Sequence, residues 1–296
     1  AVQSPSLPTG LDAPVPARWS AATAEPVAGQ SATALAQWWQ RFNDPLLTAL
    51  VAQALQSNTD VRSAQAALQQ SRALRDGKAA GLGPSVNASA SAQRSRSGGN
   101  DAADSFQAGF DASWEPDVFG GQRSTLNAAE ADAQAAQASL AQVQVSMAAE
   151  VAVTYIDLRG LQARLTIARS NLAAQMETLQ IARWRAQAGL ASSLDVEQAV
   201  AASEQTSAQI PSLITSLAQD LSSLAVLTGQ PQAALQSSLT VDAARVGLVP
   251  QAAANLAVAF PAQTLRQRPD ISAAESRVSA ALARVAQADA ARYPSF

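Results

Sequence analysis

Between Gln122 and Gln187 the chain carries no proline and a single glycine, Gly160. Small or apolar residues recur through that run at Leu126, Ala129, Ala133, Ala136, Leu140, Val143 and Met147, in steps of three and four. The register slips through Val151 and Tyr155 and resumes at Leu158, Leu161, Leu165, Ala168, Leu172, Met176 and Leu179. Such a seam predicts one long helix of coiled-coil type whose supercoil changes locally at the slip. At 1.5 Å per residue it would reach about 100 Å, a length single globular domains rarely need.

The run ends at Gly189, a helix stop. Ser192 or Ser193 can cap the next helix, and Asp195 and Glu197 suit its first turn, where acidic groups complement the helix dipole. Leu194, Val200, Ile210, Leu213, Leu217, Leu221, Leu224 and Leu227 mark a return helix, with a bend or short break expected at Pro211. The two segments predict an antiparallel helical hairpin with its tip at residues 189–193.

Composition agrees with thin, closely spaced helices. Apolar residues make up 48% of the chain, but much of that is alanine and aromatic residues are only 4%. Alanine buries little area, so the helices pack through small residues rather than around a thick core. With no Cys and no His, thiolate chemistry, disulfides and the commonest general base are absent from this sequence. The net charge of −3, without a Lys/Arg block, gives no nucleic-acid footprint. No run of 18 or more apolar residues suggests a membrane helix. The same argument leaves no cofactor or metal site to propose.

Ahead of the long helix lie shorter elements. Pro5, Pro8, Pro14, Pro16, Pro26 and Pro45 predict an extended arm over residues 1–43. Asp44 as cap and Pro45 at the first helical position open a helix with Leu46, Leu47, Leu50, Val51 and Leu55 as its apolar stripe. A second helix, from about Asp60 to Leu82, carries Val61, Ala64, Leu68 and Leu74 and is stopped by Gly81, Gly83 and Pro84.

The period then changes to two. Val86, Ala88, Ala90 and Ala92 alternate with Ser85, Asn87, Ser89, Ser91 and Gln93. Phe106, Ala108, Phe110, Ala112 and Trp114 alternate with Ser105, Gln107, Gly109, Asp111 and Ser113. These are two strands, each with an apolar and a polar face, joined by the polar loop at 96–104. An ordinary hairpin covering a soluble core fits the alternation. Two features favour a bilayer instead: each strand has about the 9–11 residues that cross one at a tilt, and Phe106 and Trp114 flank the second strand as interfacial aromatics do. Two strands cannot close a barrel, so further strands would have to come from elsewhere.

The chain also repeats itself. At a constant offset of 210 residues, 55–86 matches 265–296 through Leu55 and Leu265, Asp60 and Asp270, Ala64 and Ala274, Ala73 and Ala283, Ala80 and Ala290, Pro84 and Pro294, and Ser85 and Ser295. Pro84-Ser85-Val86 opens a strand, so Pro294-Ser295-Phe296 is expected to open its counterpart. On that reading a second repeat of about 210 residues is barely begun here, and this stretch alone would not close a barrel.

The stretches "WWQRFNDPLL" (38–47), "ASWEPDVFGGQR" (112–123), "EVAVTYIDLRG" (150–160), "RAQAGLASSLDV" (185–196), "AVLTGQP" (225–231) and "RQRPDISAAESRV" (266–278) together resemble the outer membrane factors of Gram-negative bacteria. These are channel-tunnels of the TolC and OprM type, and the resemblance is strongest to their lipoprotein branch. It implies a mainly α fold with a transmembrane β-hairpin, long antiparallel coiled-coil helical hairpins, and strands pooled in a trimeric outer-membrane β-barrel. Residues 1–43 would be a periplasmic arm; 44–83 and 121–230 the first repeat's share of the periplasmic tunnel; 84–115 its barrel hairpin; 231–263 a connector; and 264–296 the start of the second repeat. Implied partners are two further copies in a homotrimer, outer membrane lipid, a periplasmic adaptor and an inner-membrane efflux pump. A lipid anchor on a Cys upstream of Ala1 is also implied. Gly189, Leu190, Ala191 and Ser192 match the tip motif where the adaptor is expected. Phe106, Phe110 and Trp114 would face lipid, and Ser85, Asn87, Ser89, Gln107 and Asp111 the pore. Trp38, Trp39 and Phe42 match a packing motif.

The function that follows is a passive exit duct without chemistry of its own, driven by a separate pump. A soluble periplasmic coiled-coil scaffold or adaptor is the alternative, although it has no use for an outward apolar face at Phe106, Phe110 and Trp114. A hydrolase built on Glu115 and Asp117 is a third reading. Their place at a strand-to-helix junction suits capping better.

Overall fold

The structure is a computed structural model, and it describes residues 37–95, 103–241, 248–251 and 268–294. After a 3-10 turn at Trp38–Phe42 come α1 (Pro45–Ser57), α2 (Thr59–Ala80), β1 (Ser85–Ser95), β2 (Ala103–Ser113), α3 (Gly121–Gln187), α4 (Ser193–Thr228), α5 (Gln232–Val241) and α6 (Pro269–Ala290). They fall into two compact units. One holds the described residues of 64–142 and 261–296, the other those of 20–63 and 143–260.

The second unit contains the largest buried side chains. Asp44 opens α1 as read from the sequence: its Oδ1 accepts the backbone N–H groups of Leu46 and Leu47 at 2.9 and 3.0 Å, and Pro45 fills the first helical position. Leu47, Leu50, Val51 and Ala54 turn inward, where they meet a core that also includes Val151, Tyr155, Leu158, Leu221, Leu224, Leu235 and Leu239. Leu46 and Leu55, expected in the α1 stripe, are only half-buried. Steps of three and four from Leu47 reach Leu50, Val51 and Ala54, so the small residue takes the inner place.

Helix α4 ends at Gly229, in the left-handed conformation at φ 65°. The N–H groups of Gln230 and Gly229 turn back to the carbonyls of Ala225 and Val226, a Schellman closure. Two neighbouring carbonyls are satisfied from the end of α1: Ser57 Oγ donates to Thr228 O at 2.6 Å, and Asn58 Nδ2 to Leu227 O at 3.1 Å. Helix α4 runs through Pro211 without the short break that was one of the two outcomes expected there. The ring removes one N–H, and the bonds on either side outweigh that loss. An 18-residue window of α4 reaches a mean hydropathy of 1.3, but serines, threonines and glutamines interrupt it and the helix is the return arm of the hairpin.

The register slip in α3 has a structural counterpart. Met147, Ala148, Val151, Ala152, Tyr155, Leu158 and Arg159 are all buried, a wider face than the single seam on either side. Here the helix packs through a broad face, while Val153 on its outer side stays exposed. Further along, Met176 is 59% exposed although it falls in the seam, while Leu179 is buried.

The other unit is thinner. Helix α2 buries Leu68 towards its neighbours but leaves Leu74 exposed. Six residues past Leu68, at about 100° each, Leu74 has rotated off the stripe, so its place there is corrected. Strand β1 covers the predicted 85–95; β2 begins two residues earlier than expected and ends at Ser113, with Trp114 just beyond it. The strands pair antiparallel, Ser85 opposite Ser113 through to Ser95 opposite Ala103. Helices α2 and α6 have the same length of 22 residues and start and stop at the offset of 210, and the same turn follows each. The repeat is therefore structural as well as sequential up to Pro294. Ser295 and Phe296, the arm at 1–36 and most of the connector lie outside the described residues.

Candidate functional site

The hairpin tip, in the second unit, is a closed turn. Gly189 takes φ 72°, its N–H reaches Ala186 O at 3.0 Å, and Leu190 N–H reaches Arg185 O at 2.8 Å. This is the second Schellman closure of the chain. The cap of α4 is Ser192, in a reciprocal box. Asp195 N–H donates to Ser192 Oγ at 3.3 Å, and Ser192 N–H donates to Asp195 Oδ2 at 2.8 Å. The Ser192 backbone N–H, followed by its hydroxyl, holds the Asp195 carboxyl below its ordinary range, with Arg185 adding to the effect.

With both helix ends satisfied internally, the tip offers side chains rather than backbone. Leu190 is 74% exposed and Leu194 63%, while Ala191 is half-buried. Leu194 had been placed in the α4 seam; it belongs to the tip surface instead. Trp184 is also exposed. Sequence reasoning passed over it, although an indole outside the seam and five residues before the stop glycine was a usable signal.

The strand pair presents two contrasting faces. The register sets Val86, Ala88, Ala90 and Ala92 opposite Ala112, Phe110, Ala108 and Phe106, and these share one face. Asn87 opposite Asp111, Ser89 opposite Gly109 and Ser91 opposite Gln107 share the other, with Ser85 bonded to Ser113 at 2.8 Å. Every residue of β1 is exposed; Phe106 and Phe110 are 81% and 86% exposed. Trp114 has a partner for its polar edge: its Nε1–H donates to Leu82 O at 3.1 Å.

Glu115 and Asp117 line one cavity with Val118, Phe119 and Tyr293, and Asp117 serves there as a helix cap. The two carboxylate oxygens of Asp117 accept Gln122 N–H at 3.1 Å and Arg123 N–H at 2.7 Å, which caps the start of α3. Beside it, the rings of Phe119 and Tyr293 stack at 4.8 Å and 11°.

A buried polar chain went unread in the sequence. Arg159, only 1% exposed, donates from Nε to the Tyr155 hydroxyl at 3.0 Å and from Nη1 to Gln162 Oε1 at 3.0 Å. Tyr155 in turn donates to Asp44 Oδ2 at 2.9 Å. Burial is the main cause that pushes the Tyr155 phenol up to about 12; the Arg159 bond opposes it and the Asp44 bond adds to it. Nothing here resembles a reaction centre; the chain ties the α1 cap to α3. The register slip at Val151 and Tyr155 was its one trace in the sequence.

The model of the outer membrane efflux proteins matches residues 50–230. The chain belongs to that family. Among outer membrane efflux proteins, the pyoverdine export outer membrane protein OpmQ of Pseudomonas aeruginosa is 33% identical over 98% of this chain and 61% of its own length. The toluene efflux pump outer membrane protein TtgF of Pseudomonas putida is 33% identical over 90% of this chain and 56% of its own. The solved outer-membrane channel OprN superposes with a TM-score of 0.74 at 37% identity, covering 92% of this chain and 63% of that one. The chain thus spans about three fifths of the length of these relatives. The mainly helical fold, with a strand pair among the described residues, matches part of these solved outer-membrane channels.

Proposed function

We propose that the full-length protein is the outer-membrane exit duct of a tripartite efflux system. The observation that carries this reading is the strand pair: two faces of opposite character, both open, on a hairpin too small to be stable alone in water. The apolar face of Phe106 and Phe110, with Trp114 beside it, meets lipid. The face of Ser85, Asn87, Ser89, Gln107 and Asp111 lines a water-filled lumen. Strands from three copies close the barrel, because open edges are not tolerated in a bilayer.

In this reading the helical hairpins continue the lumen through the periplasm. Gly189, Leu190, Ala191 and Ser192 meet a periplasmic adaptor, with Leu194 and Trp184 widening the apolar contact. An inner-membrane pump supplies the driving force. Short neutral polar side chains with one carboxylate give a lumen of low selectivity. The relatives named for pyoverdine and toluene support small organic molecules as the exported class.

Deleting the gene should raise intracellular accumulation of a fluorescent pump substrate, and the intact gene should reverse this only where the cognate pump is present. Reversal without any pump would contradict a passive duct. The same assay with Leu190→Asp tests the tip: export should fall several-fold while the amount of protein in the outer membrane is unchanged.

A further inference from the structure

The strand-to-helix junction of the first unit carries chemistry that neither its cap nor its turn requires. Phe119, just ahead of α3, and Tyr293, just past α6, stack ring on ring at the wall of a cavity of about 270 Å³, far above the roughly 30 Å³ share of one water. They are 37% and 50% exposed, so the stack still offers ring surface outward. Glu115 lines the same cavity, is exposed, and has no hydrogen-bond or ion-pair partner for its carboxylate among the described residues. Both oxygens of Asp117, by contrast, are taken by the start of α3. Arg123 and Arg292 stand next in sequence to the lining residues Gln122 and Tyr293; both are exposed, and neither joins an ion pair among the described residues.

The fold holds this turn without such side chains. At the offset of 210, Arg292 and Tyr293 correspond to Leu82 and Gly83, and the backbone bonds agree: Leu82 and Gly83 donate to Ala79 O and Ala80 O, Arg292 and Tyr293 to Asp289 O and Ala290 O. In the first copy Trp114 Nε1–H donates to Leu82 O. The second copy carries a cation and an aromatic ring there, beside a carboxylate. Packing explains the stacked rings, but it gives no reason for Glu115 at the cavity wall. In the duct reading Trp114 stands at the periplasmic edge of the bilayer, and Glu115 is the next residue. A cavity at that level meets headgroups rather than acyl chains.

We infer that the cavity of Glu115, Phe119 and Tyr293 binds the zwitterionic headgroup of an aminophospholipid, with its ammonium on Glu115 and the ring faces and its phosphate on Arg292 and Arg123. A carboxylate and an aromatic face both attract a cation, and a guanidinium matches phosphate oxygens in a planar fork. The two charges of the headgroup thus meet two complementary sets of side chains. This inference rests on the outer-membrane duct proposed above and names a lipid that the junction of its barrel and tunnel selects.

The test uses the full-length protein, whose recovery in the outer-membrane fraction is checked first. It is reconstituted in lipid discs with equal amounts of phosphatidylethanolamine and phosphatidylglycerol, then released into a native mass spectrometer. Each subunit should retain phosphatidylethanolamine about fivefold over phosphatidylglycerol, which has the phosphate but no ammonium. Glu115→Gln keeps the shape of the side chain and should erase that preference. Arg292→Leu, the residue of the first copy, should lower retention of both lipids. Equal retention by the unaltered protein would overturn the site, as would a preference that Glu115→Gln leaves unchanged, and the duct would stand in either case. Retention of neither lipid would also overturn the site, with the remainder of the chain as the cover of the cavity. Absence of the protein from the outer membrane would overturn the site and the duct together.

Discussion

The Tyr155 hydroxyl donates to Asp44 Oδ2 at 2.9 Å across 111 residues of sequence, and the other oxygen of the same carboxylate caps α1. One phenol thus joins the start of the first helix to the middle of the longest. Replacing it by Tyr155→Phe keeps the ring but strands a buried guanidinium N–H and a buried carboxylate oxygen. A loss of about 1–3 kcal/mol in urea unfolding is expected, the range for buried groups deprived of partners. The pH dependence supplies an independent check. The phenol is raised from 10.0 to about 12, so its contribution is complete below pH 10 and fades as pH climbs towards 12. The variant should lack that alkaline loss.

Gly229 and Gly189 both hold left-handed backbone, at φ 65° and 72°, but only one is crowded. A Cβ at Gly229 would stand 3.1 Å from Ser57 Oγ, whereas at Gly189 nothing lies within 4 Å. Gly189→Ala should cost about 1–2 kcal/mol from backbone strain alone. Gly229→Ala should cost more, because Ser57 must also move and loosen its bond to Thr228 O. Paired denaturation curves for the two variants measure the difference.

How much of this was legible beforehand depended on how local the signal was. The caps at Asp44 and Gly189, one of the two serines offered at 192 and 193, and the two strand periods follow from residues a few positions apart and are found, with element ends shifted by up to two residues; α5 went unread within the connector. The Asp44, Tyr155 and Arg159 chain joins distant segments through partners that carry no spacing rule, so only the slip in the heptads betrayed it. Leu46, Leu74 and Leu194 were misplaced for a single reason. Hydrophobic character was given more weight than angular position, and in an alanine-rich helix the angle decides which residue turns inward.

Asp195 tests the tip. Its carboxyl lies below its ordinary range because ionised Asp195 accepts the Ser192 N–H and hydroxyl. The stabilisation is therefore present above about pH 4 and lost as pH falls through the lowered value. Asp195→Asn should speed amide exchange over residues 190–197 at neutral pH and match the unaltered protein in acid.

Asp220 has the opposite sign. Burial first, and the nearby Asp157 charge second, raise its carboxyl above the ordinary range. The ionised form is the penalised one, so Asp220→Asn should shift the urea midpoint upward at pH 7. The advantage should vanish below about pH 4, where the carboxyl is protonated in both folded and unfolded chains.

Alternating access along β2 bears most directly on the central claim. Single cysteines from 104 to 113 in the full-length protein, in native outer membranes, can be labelled from water and quenched from lipid. The account predicts a period of two: 106, 108, 110 and 112 are quenched by a lipid-phase agent and react slowly with a charged maleimide, while 105, 107, 109 and 111 do the reverse. Uniform reactivity from water on both faces would show that the strand pair does not cross a bilayer, and the duct would have to be abandoned.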